Sequence, residues 1–365
     1  MKDFLLKKDK IKNLLISASE EWDTFVPWKD LGEDLQFVKL PGAGKEDFLN
    51  KLSLEYGSPL IPPKTIAFPQ LELLFEFEEG KIKEKVPPPT KKLLFGLRAC
   101  DVKAILFVDD FFRRNFEDIY YLNRTMDKLL VLVGCKTPPR DCFCTSTKTG
   151  PFLPVPCSLG EVRKEGFDLQ LVDIGDSYLV EIGSEKGKEF IESYKSFFEV
   201  ASKKEVELSK DAKKRAEEAI TLKVDFEKAV KNFCEDKVSR KVYEKIAERC
   251  IYCGGCLYVC PTCTCFNVFD GKKGKRGERS RNWDACVFEG YTREASGHNP
   301  RPEKWQRTSR RYEHKLKYDY LTTGMSGCVG CGRCLATCPV NIGISQVIEE
   351  VAKNEKRISS LSGKD

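Results

Sequence analysis

The sequence predicts two units: an N-terminal α/β (or α+β) domain with a parallel-sheet unit over residues 1–230, and a mostly α-helical domain over 240–350, followed by a tail at 351–365. Three observations lead there. A strand–helix–strand pattern runs through 91–134. Helical periodicity with few Gly or Pro fills about 185–249. Apart from Cys234, the 17 cysteines fall on either side of that helical stretch, at 100–157 and 250–338. At 365 residues the chain is also longer than one core usually absorbs.

In the first unit, LLFGL (93–97) is a short apolar run of strand type. VKAILFVDDFF (102–112) repeats at helical spacing, and LLVLVG (129–134) is a second strand. A β–α–β unit makes parallel strands with a right-handed crossover, and ligands bind at the carboxyl edge of such sheets. Cys100 follows the first strand and Cys135 the second, so both are expected at that edge, with Cys142 and Cys144 in the next loop. The segments GKEFIESYKSFFEV (187–200) and 211–250 are read as helices leading into the second unit.

Composition narrows the function. The longest apolar runs fall far short of the roughly 20 residues a bilayer span needs. The opening MKDFLLKKDKIKNLL carries charges throughout, so no secretory signal is expected and the chain is placed in the cytoplasm. Seventeen cysteines in a reducing compartment point to soft-metal binding rather than disulfides. Only two histidines, His298 and His314, argue against histidine-based acid–base or zinc chemistry.

One motif occurs twice. CIYCGGCLYVCP carries Cys250, Cys253, Cys256, Cys260 and Pro261; CVGCGRCLATCP carries Cys328, Cys331, Cys334, Cys338 and Pro339. Three thiolates at three-residue spacing wrap one face of a [4Fe–4S] cluster, and the fourth Cys ordinarily reaches the other cluster of a pair. The expected sets are Cys250, Cys253, Cys256 and Cys338 for the first cluster, and Cys328, Cys331, Cys334 and Cys260 for the second. A zinc ribbon uses four ligands and has no need of eight cysteines with a duplicated proline. About 70 residues separate the copies, which favours a helical ferredoxin-like two-cluster domain over a compact bacterial ferredoxin.

Cys100, Cys135, Cys142 and Cys144 match no standard spacing. They read as a third [4Fe–4S] site; the alternatives are small buried hydrophobes, or zinc. Cys263, Cys265 and Cys286 either line the first cluster's pocket as buried thiols or coordinate something further. Cys157 and Cys234 are read as structural. Segment 272–317 carries 14 Lys plus Arg against 6 Asp plus Glu. That excess reads as compensation for anionic clusters together with docking, rather than as a phosphate-binding surface. Trp283 and Trp305 read as packing anchors, and His314 as a surface residue.

FPQLELLFEF (68–77), LLFGLRACDVKAI (93–105), DCFCTS (141–146), CPTCTCF (260–266), RNWDAC (281–286), NPR (299–301) and the two motifs occur in order. Together they resemble the beta subunit of cytoplasmic sulfhydrogenases, NAD(P)-linked nickel–iron hydrogenases, in a family that also includes the corresponding iron–sulfur subunit of the anaerobic sulfite reductase. The resemblance spans about 60–345. It implies an iron–sulfur electron-transfer subunit whose partners are a flavin- and nicotinamide-binding subunit and the hydrogenase small and large subunits, or else sulfite reductase subunits. Lys148 departs from the pattern, standing where a glycine is expected, as does Cys157. No dinucleotide fingerprint, phosphate loop or nickel motif is legible, so no terminal catalytic site is assigned to this chain. Two readings from other classes, an iron–sulfur carrier and a nucleic-acid-binding iron–sulfur protein, fit the closed motifs less well.

Overall fold

The computed structural model describes residues 3–29, 35–156 and 166–353. Cys157 and residues 354–365 of the expected tail lie outside them. The first strands are β1 (Phe4–Lys7), β2 (Asp23–Lys29), β3 (Leu35–Lys39), β4 (Leu71–Glu78), β5 (Lys81–Glu84) and β6 (Lys91–Leu97). Then come β7 (Asp127–Val133), β8 (Leu169–Asp173), β9 (Ser177–Ile182), β10 (Phe198–Val200), β11 (Phe266–Lys273) and β12 (Arg276–Trp283).

Eight strands form one mixed sheet in the order β10-β1-β9-β8-β7-β6-β2-β3. Its centre is parallel: β2 with β6, β6 with β7, and β7 with β8. Helix Ala99–Phe111 makes the crossover between β6 and β7. Both faces of the centre are covered, so its strands read as continuous apolar runs. Leu129, Val131 and Val133 point to one core with Leu14 and Leu15, while Leu130 and Leu132 point to another with Val102 and Ile105. Gly96, at φ 91°, interrupts the register of β6, and a Cβ there would stand 2.9 Å from the Pro27 ring. That irregularity puts Leu94 and Leu97 on the same face.

The helical stretch contains one strand. FEV (198–200) is not helix but the edge strand β10, paired antiparallel with β1, because Phe198 has the sheet's own partly buried face to cover. Helix Lys203–Glu218 then restarts with a capping box from Ser202 and Glu205.

The second sheet has the order β11-β12-β4-β5. Its hairpin, β11–β12, lies between the two cysteine motifs, yet β12 pairs with β4 from the N-terminal part. Buried Arg281 on β12 bonds Glu72 Oε2 on β4 at 2.6 Å and also pairs with Asp118. Helices Phe226–Cys234, Arg240–Arg249, Lys304–Glu313 and Ile344–Lys353 gather around Phe233, Val242, Leu316 and Ile348. Among the described residues, no helix is long and apolar enough to cross a membrane.

Candidate metal centres

The two copies of the repeated motif adopt one backbone shape. Tyr252 and Gly330 have φ of 57° and 60°, and Gly254 and Gly332 have φ of 74° and 77°. Each copy then enters a one-turn helix, Gly255–Tyr258 or Arg333–Ala336. Successive left-handed turns aim backbone N–H groups inward and make an anion-binding hollow. Tyr252 is a non-glycine residue in this region, and its hydroxyl is held by Thr308 Oγ1 at 2.9 Å and Lys304 O at 3.0 Å.

Cys250, Cys253, Cys256 and Cys338 line a single cavity of about 510 Å³. Two backbone amides point at its sulfurs: Tyr252 N lies 3.4 Å from Cys250 Sγ and Ile342 N 3.2 Å from Cys338 Sγ. A second cavity, of about 350 Å³, is lined by Cys260, Cys328, Cys331 and Cys334. In both, the last cysteine of one motif meets the first three of the other. Burial pushes the Cys256 thiol up to about 11 and the Cys331 thiol up to about 12, so metal loading must displace protons.

The sheet edge supplies a third cavity, of about 310 Å³, lined by Cys100, Cys135, Cys142 and Cys144, all buried. Cys100 lies in the first turn of the crossover helix and Cys135 just beyond β7, so the parallel pair places both at its carboxyl end. A hydrogen bond from Cys144 holds the Cys142 thiol down at about 7. Cys331 lines both this cavity and the second one. The loops carrying them meet backbone to backbone: Phe143 N donates to Gly330 O at 2.8 Å. A Cβ on Gly332 would come within 2.6 Å of the Asp141 carbonyl. Phe143 itself, 1% exposed, enters the helical core. Lys148, where the resemblance expects glycine, holds φ 56°, which explains the glycine preference there.

The chemistry of the donor set fits anionic clusters. Arg311, 5% exposed, lines both the first and second cavities, and its Nε finds no hydrogen-bond partner. Lys315, also buried, lines the second and bonds Thr262 Oγ1 and Gly327 O, each at 2.9 Å. Arg98, at the third, donates to the carbonyls of Val133, Gly134, Leu54, Tyr56 and Gly57. Among the described residues none of these three cations has a salt bridge to a carboxylate. A buried unpaired cation costs several kcal/mol, which a neighbouring anion offsets. The basic excess of 272–317 is thus partly internal, since Arg281, Arg307, Arg311 and Lys315 are all buried. Sequence reasoning missed Arg98 and also Arg333, which is buried between Cys331 and Cys334; a charged residue close to a cysteine was the available signal.

Comparison with known proteins agrees with this chemistry. The family described as "4Fe-4S dicluster domain" matches residues 249–342. Over 304 residues the chain is 31% identical to Sulfhydrogenase 2 subunit beta of Pyrococcus furiosus, covering 83% of this chain and 86% of that protein.

Proposed function

This chain belongs to the family of sulfhydrogenase beta subunits and is an iron–sulfur electron-transfer subunit; within that family we propose that it is the beta subunit of a cytoplasmic NAD(P)-linked nickel–iron hydrogenase. It relays electrons between a flavin- and nicotinamide-binding subunit and the hydrogenase small and large subunits. The observation that carries this reading is the adjacency of three cysteine-lined cavities, the second bordering the first at Arg311 and the third at Cys331.

The proposed ligands are Cys250, Cys253, Cys256 and Cys338 for the first [4Fe–4S] cluster. Cys260, Cys328, Cys331 and Cys334 hold the second, and Cys100, Cys135, Cys142 and Cys144 a third. Each cluster, when bound, accepts and gives up one electron at a time. The chain's own part is to exclude water, fix the spacing and set the local charge. Arg98, Arg311 and Lys315 favour the more negative state of whatever they surround, because none of them forms a salt bridge among the described residues. The N-terminal unit (1–230) and the two-cluster unit (240–350) act as one body through the Phe143–Gly330 contact and the β4–β12 pairing.

The test is iron and acid-labile sulfide per polypeptide, measured on anaerobically purified chain with and without Cys100→Ser. A fall of about four irons establishes the N-terminal cluster. No fall leaves those four cysteines as structural thiols, and zinc in place of iron overturns the electron-transfer role. The chains that co-purify separate a hydrogenase from the alternative, the iron–sulfur subunit of an anaerobic sulfite reductase, whose partner subunits would be found instead.

A further inference from the structure

The hairpin between the two motifs does more than extend the second sheet. Cys265 immediately precedes β11, Cys286 lies just beyond the end of β12, and Phe266 pairs with Trp283 at the hairpin's base. The base therefore brings these two residues together in one packed cluster. With Cys263 they line a separate cavity of about 360 Å³, close in size to the second and third. Cys260 lines the second cavity and Cys263 this one, with the two thiols adjacent at the wall between them.

A non-cysteine donor stands opposite. Helix Lys304–Glu313 passes into a π-helical turn at His314–Tyr318, a distortion that recurs at functional sites. His314 and Lys315, the first residues of that turn, and Asp319 just after it all line the cavity. His314 Nε2 lies 3.3 Å from Asp319 Oδ1. With the Nε2 proton assigned toward that carboxylate, Nδ1 carries the lone pair that can ligate a metal. A carboxylate behind a histidine is the usual support of a metal-bound ring.

The cavity also has surplus positive charge. Arg311 and Lys315 line it, and Lys64 Nζ bonds the Cys263 carbonyl at 2.7 Å while lying 4.0 Å from the Trp283 ring centroid. All three cations are at least nine-tenths buried, and the Arg311 Nε is without a partner. Among the described residues, none of the three forms a salt bridge. Asp319, also buried and lining the cavity, offsets one of them, so with three protonated thiols positive charge would remain in surplus.

We propose that Cys263, Cys265 and Cys286, completed by His314, hold a further iron–sulfur cluster at the base of the hairpin. The surplus of buried cations favours an anionic cluster over one zinc ion, and three cysteines with one histidine supply its four ligands. Such a cluster adjoins the second cavity through Arg311 and Lys315, so the electron path branches there. This inference rests on the iron–sulfur reading above.

The test uses the full chain, purified anaerobically. Cys286→Ser is expected to remove about four irons and four sulfides, and Cys100→Ser combined with it a further four. Retention of full iron in Cys286→Ser, with the Cys100→Ser loss intact, overturns this inference and leaves the three-site reading standing. Loss of one zinc per chain in place of iron also overturns it. Should Cys286→Ser fail to fold, the histidine ligand gives a second readout. The chain has only two histidines, so His298→Gln grown with ¹⁵N-histidine carries one labelled ring. Reduced protein is expected to show a strong ¹⁵N hyperfine coupling that His314→Ala abolishes. Its absence before that substitution overturns the assignment of His314.

Discussion

Arg333 Nη2 lies 2.8 Å from Asp101 Oδ1, with the two side chains 2% and 0% exposed. Asp101 is the residue after Cys100, and Arg333 sits between Cys331 and Cys334. One sealed ion pair thus ties the sheet edge to the second motif, and Arg333 Nε adds a bond to Pro59 O at 2.6 Å. Removing one partner leaves the other charged and unpaired. Arg333→Met should therefore destabilise the chain by about 3–5 kcal/mol, read from the denaturation midpoint. Arg333→Met with Asp101→Leu should recover most of that loss, because no buried charge is left over. A cost below about 1 kcal/mol for the single variant would mean that water reaches Asp101.

Much of this arrangement was legible in the sequence, for reasons that differ by region. The crossover unit at 91–134 was readable because both faces of β6 and β7 are buried, so apolar runs and a helical repeat survive in the local pattern. The repeated motif was readable because its spacing is itself the site. The hairpin was not. Its sequence, FNVFDGKKGKRGERSRNW, looks like a charge run because its strand partner β4 is remote; Arg281 and Glu72 are 209 positions apart. Edge strand β10 was hidden similarly, since only pairing with β1 distinguishes FEV from a helix end. The buried cations were invisible for a further reason: charge content does not reveal which residues face inward.

Glycine at the second motif offers a controlled comparison. Gly332 and Gly80 share nearly the same φ, 77° and 80°, but a Cβ on Gly80 would meet nothing within 4 Å. Gly80→Ala should then cost about 1 kcal/mol, the backbone strain alone. Gly332→Ala adds a clash with the Asp141 carbonyl and should cost about 2–4 kcal/mol. Thermal denaturation of the two variants side by side isolates the contact between the two cysteine loops. Equal losses would show that the loops do not touch in solution.

Arg311 makes an electrostatic prediction. Its guanidinium borders the first and second cavities without a carboxylate partner, so it favours extra negative charge in both. Arg311→Gln should lower the reduction potentials of the clusters bound there. The expected fall is on the order of tens of millivolts, for a charge interaction of about 1 kcal/mol in a partly screened interior. Redox titration followed by electron paramagnetic resonance gives the shift. Arg310→Gln is the control, because Arg310 lies over the Tyr318 ring and borders neither cavity. Equal shifts in the two variants would mean that surface charge, not the buried guanidinium, sets the potential.

Phe143 links folding to the third site without being a ligand. It sits between Cys142 and Cys144, is 1% exposed, and shares a core with Phe233 and Leu316. Its ring anchors the loop from the helical side, while its N–H bonds Gly330 O from the motif side. Phe143→Ala should cost about 3–5 kcal/mol through the cavity it leaves. It should also make the iron of the third site the first to be lost to a chelator, although all four of its cysteines are intact. Iron release followed over time, with Cys100→Ser marking which fraction belongs to that site, gives the answer. Unchanged release together with lowered stability would show that the backbone bond to Gly330 holds the loop without the ring.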